Sequence, residues 1–445
     1  MAERLFGTDG VRGVAGTYPL DPRTICRLGA ALVRTLGADH AARLVIGRDT
    51  RESGEWIARE LARGATGEGA SVTNAGVMPT PGVAFLARAL DYDLGVVLSA
   101  SHNPYTDNGI KVFSGAGEKF GEPKERAVEA MIADAGWRAA ENDQVTMSTG
   151  AFARPYLDHL RRLLPAAGTL TGARIAVDMA NGATTAIAPA LFSELGLRVV
   201  PLGDRPDGRN INLACGSTHP AGLASEVVAA GCRMGVAFDG DGDRAIFADH
   251  RGHIVDGDAV LLLLAVYFKE RKRLPHDTVV ATVMSNIGLE IALQRHGIRL
   301  VRTPVGDKYV MDEMLRGGFA LGGEQSGHVI LTEHLPTGDG MATALAVLRV
   351  MDETGKELAE LAAGLVTYPQ TLVNVRVRDK RAIEGVPEIQ AAIARVEAAL
   401  AGHGRVLVRY SGTEPLLRVM IEGEDQASVQ AWAEEIAEAI RVTLG

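Results

Sequence analysis

The chain has 445 residues, 47% of them hydrophobic and 23% charged, and a net charge of -9, the profile of a soluble globular protein long enough for several cores. The acidic balance, without a long basic block, argues against a nucleic-acid groove, and the longest apolar run, Ala259 to Phe268, is far too short to span a bilayer. The opening MAERLFGTDGVRG is unlike a signal peptide, and Cys26, Cys215 and Cys232 show no C-x-x-C spacing, so a cytoplasmic protein without a disulfide framework or structural zinc is expected.

Phe6 to Gly13 is a Gly-rich turn carrying Arg12, either a solvated surface group or a bidentate phosphate ligand. Apolar residues recur at helical spacing from Pro22 to Leu36, and Arg43 to Arg48 reads as a strand running through Asp49-Thr50-Arg51 into a helix from Trp56 to Gly67. Ser71 to Val77 is the next strand, and a helix then leads to the apolar strand Leu94 to Leu98. From about residue 151 the alternation restarts: a helix from Tyr156 to Leu164, a strand from Ala173 to Asp178, a helix opened by Asn181-Gly182 and running to Leu195, and strands at Leu197 to Leu202 and Met234 to Phe238. A third restart near Asp256 gives a helix to Tyr267, a strand from Thr278 to Val283, a helix to Gly297 and a strand at Phe319 to Leu321. Alternating strands and helices predict α/β units with mostly parallel sheets. The last stretch differs. Strands at Thr371 to Val377, Arg405 to Tyr410 and Leu416 to Glu422, with helices from Pro387 to Leu400 and on to about Val442, predict a small α+β domain with an antiparallel sheet.

Three strand ends repeat one pattern, LGVVLSASHN, MGVAFDGDGDR and FALGGEQSGH, each an apolar strand running straight into a Gly, Ser or acidic loop. Three related units would aim these loops at one cleft. In the first, Ser101 sits at the loop tip as a candidate nucleophile, with a capped polar turn as the bland alternative; His102 and Lys111 are candidates for proton transfer or charge neutralisation. In the second, Asp239, Asp241 and Asp243 crowd three carboxylates together, which a divalent cation explains better than solvation. An EF-hand fits poorly, because Arg244 and His250 occupy positions that need Gly and Glu. Mg²⁺ takes few protein carboxylates and completes its shell with phosphate oxygen and water, so a phosphorylated Ser101 would supply a missing ligand. In the third, Glu324, Ser326 and His328 offer donors and acceptors for sugar hydroxyls, or form a solvated loop. Near the C-terminus, Arg409, Ser411, Gly412, Thr413 and Arg418 combine hydroxyls, backbone amides and two guanidinium groups, which a phosphate dianion needs and a plain hairpin does not. The chain has no P-loop and no convincing G-x-G-x-x-G motif, so nucleotide binding has no support.

Together TDGVRG, SASHNP, FDGDGDR, GEQSGH and RYSGTEPLLR, in this order along the whole chain, resemble the α-D-phosphohexomutase superfamily. The resemblance implies four domains around a central cleft, three of similar α/β topology and a smaller fourth, divided here at 1–150, 151–255, 256–368 and 369–445. It implies Ser101 as the phosphorylated residue and as a ligand, with Asp239, Asp241 and Asp243, of one Mg²⁺. Arg244 would hold the transferring phosphoryl group, Glu324 and Ser326 the sugar hydroxyls, and Arg409, Ser411, Gly412, Thr413 and Arg418 the other phosphate; Arg12, His102 and Lys111 complete the expected catalytic group and His328 the sugar-binding one. Relatives acting on mannose and glucose phosphates carry GEMSGH where this chain has Gln325. The expected substrate is therefore an amino sugar: glucosamine 6-phosphate and glucosamine 1-phosphate interconverting through glucosamine 1,6-bisphosphate, an intermediate and activator, toward cell-wall precursors. A small-molecule phosphosugar is the expected partner, without nucleic acid or membrane, and a homodimer is left open. The rival readings are a phosphomannomutase/phosphoglucomutase, a serine-dependent phosphatase and a catalytically silent phosphosugar-binding protein.

Overall fold

The computed structural model describes residues 4–7, 9–378, 381–411 and 415–445. The chain forms two compact units, Met1–Met284 with Gly297–Gly364, and Ser285–His296 with Leu365–Gly445. Among the described residues no helix is long and apolar enough to cross a membrane.

The first unit holds three sheets built on one plan. In the first, Arg43–Arg48 lies between Ser71–Val77 and Leu94–Leu98, all parallel, and Asp107–Ser114 returns antiparallel against Leu94–Leu98. In the second, Arg174–Asp178 lies parallel to Arg198–Leu202 and Met234–Phe238, and Ala245–Asp249 returns antiparallel. In the third, Thr278–Thr282 lies parallel to Arg299–Thr303 and Leu321–Gly323, and Val329–Leu331 returns antiparallel. This is the expected α/β class with mixed, mostly parallel sheets. Each candidate loop, 99–106, 239–244 and 324–328, is therefore the hairpin connection between the last parallel strand of its sheet and the strand that turns back.

Local chemistry accounts for these elements. Leu94–Leu98 and Met234–Phe238 are buried along their whole length, as apolar strands flanked by neighbours on both edges must be. Aspartates cap the helices: Asp21, Asp256 and Asp339 each accept a backbone N–H in the first turn of Pro22–Leu36, Gly257–Glu270 and Gly340–Thr354. Helices Pro22–Leu36 and Gly54–Gly67 cross at backbone distance, since a Cβ on Gly64 would lie 1.8 Å from the Cys26 carbonyl oxygen.

Two departures from the sequence-based expectation are local. Asp107–Ser114, given no element in the sequence reading, is a strand, with Lys111 opposite Val97 and pairing on both edges. The helix expected from Asn181 to Leu195 is a 3₁₀ turn, Ala183–Ala186, followed by a short helix, Ala188–Glu194, because Pro189 starts a new helix better than it continues one. Helix Ile287–Arg295 lies between two strands of the third sheet in sequence but groups with the second unit. There the buried Glu422 carboxylate accepts from the Ile287 N–H at 3.2 Å and pairs with Arg405 at 2.8 Å. The second unit also contains an antiparallel sheet, Leu416–Glu422 between Gln370–Arg376 and Arg405–Tyr410, packed under helices Pro387–Leu400 and Gln426–Leu444.

Within the first unit, helix Ala153–Arg161 is wedged in by an aromatic stack: the His159 ring lies 4.4 Å from Phe85 and 4.1 Å from His334 between centroids, and Tyr156 donates to Asp339 at 2.8 Å. Burial, with His334 alongside, pushes the His159 imidazole down to about 4.

Two predictions follow from this packing. Gly64→Ala is expected to cost about 1–3 kcal/mol in urea unfolding, because the helices must separate to admit a methyl group. A histidine whose pKa is depressed by folding is protonated first in the unfolded chain, so its contribution is full above 6.5 and is lost as pH falls toward about 4. His159→Phe, which keeps the stack without the titration, should show a shallower fall in Tm across that window than the parent protein.

Candidate active site

Ser101 sits in a backbone conformation with φ of +52° and is 1% exposed. Its Oγ donates to Asp239 Oδ2 at 2.5 Å, and His102 Nδ1 lies 3.3 Å away. The expected nucleophile and the first of the three aspartates thus meet across a sequence separation of 138 residues.

Asp239, Asp241 and Asp243 are all buried, and one ligand atom from each lies within 4.8 Å of the others. Asp241 Oδ2 accepts from Thr80 Oγ1 at 2.5 Å and from Lys111 Nζ at 2.8 Å, while Oδ1 of Asp241 and Oδ1 of Asp243 are buried without a hydrogen-bond donor. Buried carboxylate oxygens left in this state cost free energy. Three hard oxygen donors converging with two of them unsatisfied fit a Mg²⁺-type cation. The electrostatics agree with that reading. Burial, and then Asp243 and Asp241, hold the Asp239 carboxyl well above the usual range, whereas for Asp243 the effect of burial is outweighed by Lys111 and His328, which hold it well below.

Lys111, 2% exposed, lies between Asp241, Asp9 at 3.0 Å and Asp243 at 3.3 Å. Burial alone would lower its pKa, but Asp241, Asp9 and Asp243 raise it well above the ordinary value, so it is an ammonium ion. His102 is the opposite case: burial first, then Arg244 and Arg12, bring it down to about 4, and it is a neutral imidazole at pH 7. These are distinct roles for two residues that sequence leaves equivalent. Arg12 donates to Asp9, Arg244 lies 3.8 Å from Asp243, and both carry a buried Nε without an acceptor, which suits a group bearing anionic oxygens.

The third loop closes on the second. Gly327 O accepts from the Ala245 N–H at 3.0 Å, and Glu324 Oε1 accepts from the Gly306 N–H at 3.2 Å, while Ser326 is exposed at the tip. His328 does not share that exposure: it is buried, 3.6 Å from Asp243 and 3.4 Å from Asp307. Gln325 Nε2 donates at 3.1 Å to Asp256 Oδ2, the carboxylate that caps helix Gly257–Glu270. In the second unit, Arg409 and Arg418 are cross-strand partners, and Arg418 reaches Ser411 Oγ at 3.5 Å. Burial and the neighbouring Arg418 lower the Arg409 pKa, as two like charges placed opposite each other require. Gly412 and Thr413 lie outside the described residues.

Sequence reasoning missed Asp9, Lys119 and Asp307. Lys119 pairs with Asp9 at 2.5 Å and with Asp307, linking the Gly-rich turn to the helix Asp307–Gly317. It also missed Thr80, Arg51 and Asn212, which hold the loops. Of these, Arg51 carried a usable signal, since Asp49-Thr50-Arg51 follows a parallel strand just as Ser101 does.

The site and sheets define a phosphosugar mutase fold, and comparison with known proteins agrees. The chain belongs to the phosphoglucomutase/phosphomannomutase family: residues 3–139 match its alpha/beta/alpha domain I, 154–252 domain II, 256–368 domain III and 372–439 its C-terminal domain. Among curated relatives, the phosphoglucosamine mutase of Solibacter usitatus is 50% identical over 448 residues, covering 100% of both chains. That of Syntrophotalea carbinolica is 46% identical over 451 residues, covering 100% of this chain and 99% of its own. A phosphoglucomutase/phosphomannomutase family protein from Burkholderia thailandensis shares the fold with a TM-score of 0.81 at 23% identity, over 99% of this chain and 98% of its own. The Aspergillus fumigatus N-acetylphosphoglucosamine mutase, solved with GlcNAc-6P and magnesium, does so with a TM-score of 0.67 at 18% identity, over 99% and 96%.

Lys111→Met removes the cation from between three carboxylates. In a chelator it should lower stability by about 3–5 kcal/mol in urea unfolding, and added Mg²⁺ should recover part of the loss. A loss below about 1 kcal/mol, the range of an exposed pair, would show that the cluster does not depend on Lys111.

Proposed function

We propose that the enzyme interconverts glucosamine 6-phosphate and glucosamine 1-phosphate, with Ser101 as phosphoryl carrier and glucosamine 1,6-bisphosphate as intermediate and activator. The observation that carries this reading is the Ser101 hydroxyl held 2.5 Å from Asp239 at the edge of a buried three-aspartate cluster with unsatisfied oxygens. The full-length relatives named phosphoglucosamine mutase carry the choice of sugar. Gln325 is a weaker guide to it, since its amide is engaged by Asp256.

In the proposed cycle the phosphoryl group leaves Ser101 Oγ for a sugar hydroxyl. The hydroxyl gives up its proton, Oγ takes one, and the bisphosphate turns over so that its other phosphate returns to Oγ. His102, neutral and 3.3 Å from Oγ, is the group placed to move that proton. Mg²⁺ bound by Ser101, Asp239, Asp241 and Asp243 would supply charge stabilisation to the transferring group. Arg12 and Arg244 present guanidinium donors to the same oxygens, and Lys111 holds the Asp243 carboxyl well below the usual range. Glu324 and Ser326 serve the sugar hydroxyls, His328 braces the loop from behind, and Arg409, Ser411, Gly412, Thr413 and Arg418 hold the phosphate that is not being transferred.

Intact-mass analysis and peptide mapping should find a phosphoryl group on Ser101, and Ser101→Ala should lose turnover by about a thousandfold or more. Retained activity in Ser101→Ala overturns the carrier role. Faster turnover of glucose or mannose 6-phosphate than of glucosamine 6-phosphate overturns the choice of substrate.

A further inference from the structure

Both ends of the Ser101 peptide unit are tied to one buried carboxylate. The Ser101 N–H donates to Ser99 Oγ at 2.9 Å, and Ser99 donates to Asp49 Oδ2 at 2.6 Å. The Ser101 carbonyl accepts from Arg51 Nη2 at 3.1 Å, and Arg51 Nε donates to the same Asp49 oxygen at 2.8 Å. Arg51 is 1% exposed, and it also donates to the carbonyls of Asn103 and Pro104. This circuit belongs entirely to the first sheet and its loops, and it holds Ser101 at a φ that a serine rarely adopts.

A second donor reaches two of the same carbonyls from the other side. Asn212 Nδ2, in the segment between strands Arg198–Leu202 and Met234–Phe238 of the second sheet, donates to Ser101 O at 2.9 Å and to Asn103 O at 3.1 Å. Gly240, inside the aspartate loop, makes this approach possible: a Cβ there would lie 2.5 Å from Ser101 O and 2.9 Å from Asn212 Nδ2. The Asn212 amide therefore ties the backbone of the carrier loop to the sheet bearing Asp239, Asp241 and Asp243, beside the side-chain bond from Ser101 to Asp239.

We propose that Asn212 is a positioning residue for phosphoryl transfer. It fixes the register between Ser101 and the aspartate loop, while Arg51 and Asp49 fix Ser101 to its own sheet. The proposal rests on the reading of Ser101 as phosphoryl carrier, but its geometry does not. Asn212 itself has a φ of +59°, so a purely conformational role is the competing explanation, and the two roles rank substitutions differently. Conformation alone favours glycine and tolerates aspartate at such a φ. A donor to two carbonyls cannot be replaced by glycine, and a carboxylate would face them repulsively.

The test compares Asn212→Gly and Asn212→Asp with the parent protein. With glucosamine 6-phosphate and a trace of sugar bisphosphate, kcat should fall about 10- to 100-fold in Asn212→Gly and further in Asn212→Asp, with KM changed by less than about threefold and Tm retained in Asn212→Gly. Parental kcat in Asn212→Gly overturns the proposal. Hydrogen exchange at residues 101–104 gives a readout that needs no substrate: faster exchange in both variants supports the clamp, and unchanged exchange overturns it. Absence of turnover in the parent protein would count against the proposed function and leave the exchange result to decide the clamp.

Discussion

Everything in the larger unit depends on burying a lysine among aspartates. Removing an ammonium ion from water is expensive, and an attraction strong enough to offset that exists only where carboxylates stand at contact distance. Lys111 is supplied by a returning strand of the first sheet, Asp241 and Asp243 by a loop of the second and Asp9 by the Gly-rich turn. Lys119, Asp307 and His328 extend it to the third sheet, so the three sheets are held in register by alternating charges as well as by apolar contact.

The same arrangement sets the chemistry. A lysine kept protonated by three carboxylates holds two of them, Asp9 and Asp243, well below the usual carboxylate range in return, and ionised carboxylates are the hard donors that a divalent cation selects. His102, 3.3 Å from the Ser101 hydroxyl, is freed of its charge by burial and by two guanidinium groups. Opposite protonation states are thereby assigned to neighbouring side chains by their surroundings alone. Arg409 and Arg418 illustrate the converse in the smaller unit. Two cations placed opposite each other on adjacent strands repel, and burial together with that repulsion lowers the Arg409 pKa.

Much of this is legible in the amino-acid sequence. The strand-end loops of Ser101, of the three aspartates and of Glu324 are contiguous motifs, and an apolar strand running into polar residues marks a site by local pattern alone. The repeated strand-and-helix order likewise pointed to related sheets. What sequence could not show is pairing over distance. Asp9, Asp307 and Asn212 are single polar residues in ordinary turns or helix starts, and they acquire meaning only when the fold brings them beside Lys111, Lys119 or Ser101. Asp107–Ser114 escaped notice for the same reason, since its extended form is imposed by strands on either side. His328 reads from sequence as a group for sugar hydroxyls or as part of a solvated loop, and only the folded structure shows it buried beside Asp243 and Asp307.

Each functional loop is the turn of a hairpin within a single sheet, not a crossover between parallel strands. A crossover must carry its helix across the sheet in a fixed hand, so its length and path are tightly constrained. A hairpin turn has no such obligation, and residues can be exchanged or inserted in it while the flanking strands keep their pairing. The loops of Ser101, of the three aspartates and of Glu324 are thus three separately replaceable cassettes on one scaffold. Divergence in this architecture can rewrite one turn and leave the other two, with the strands beneath them, intact.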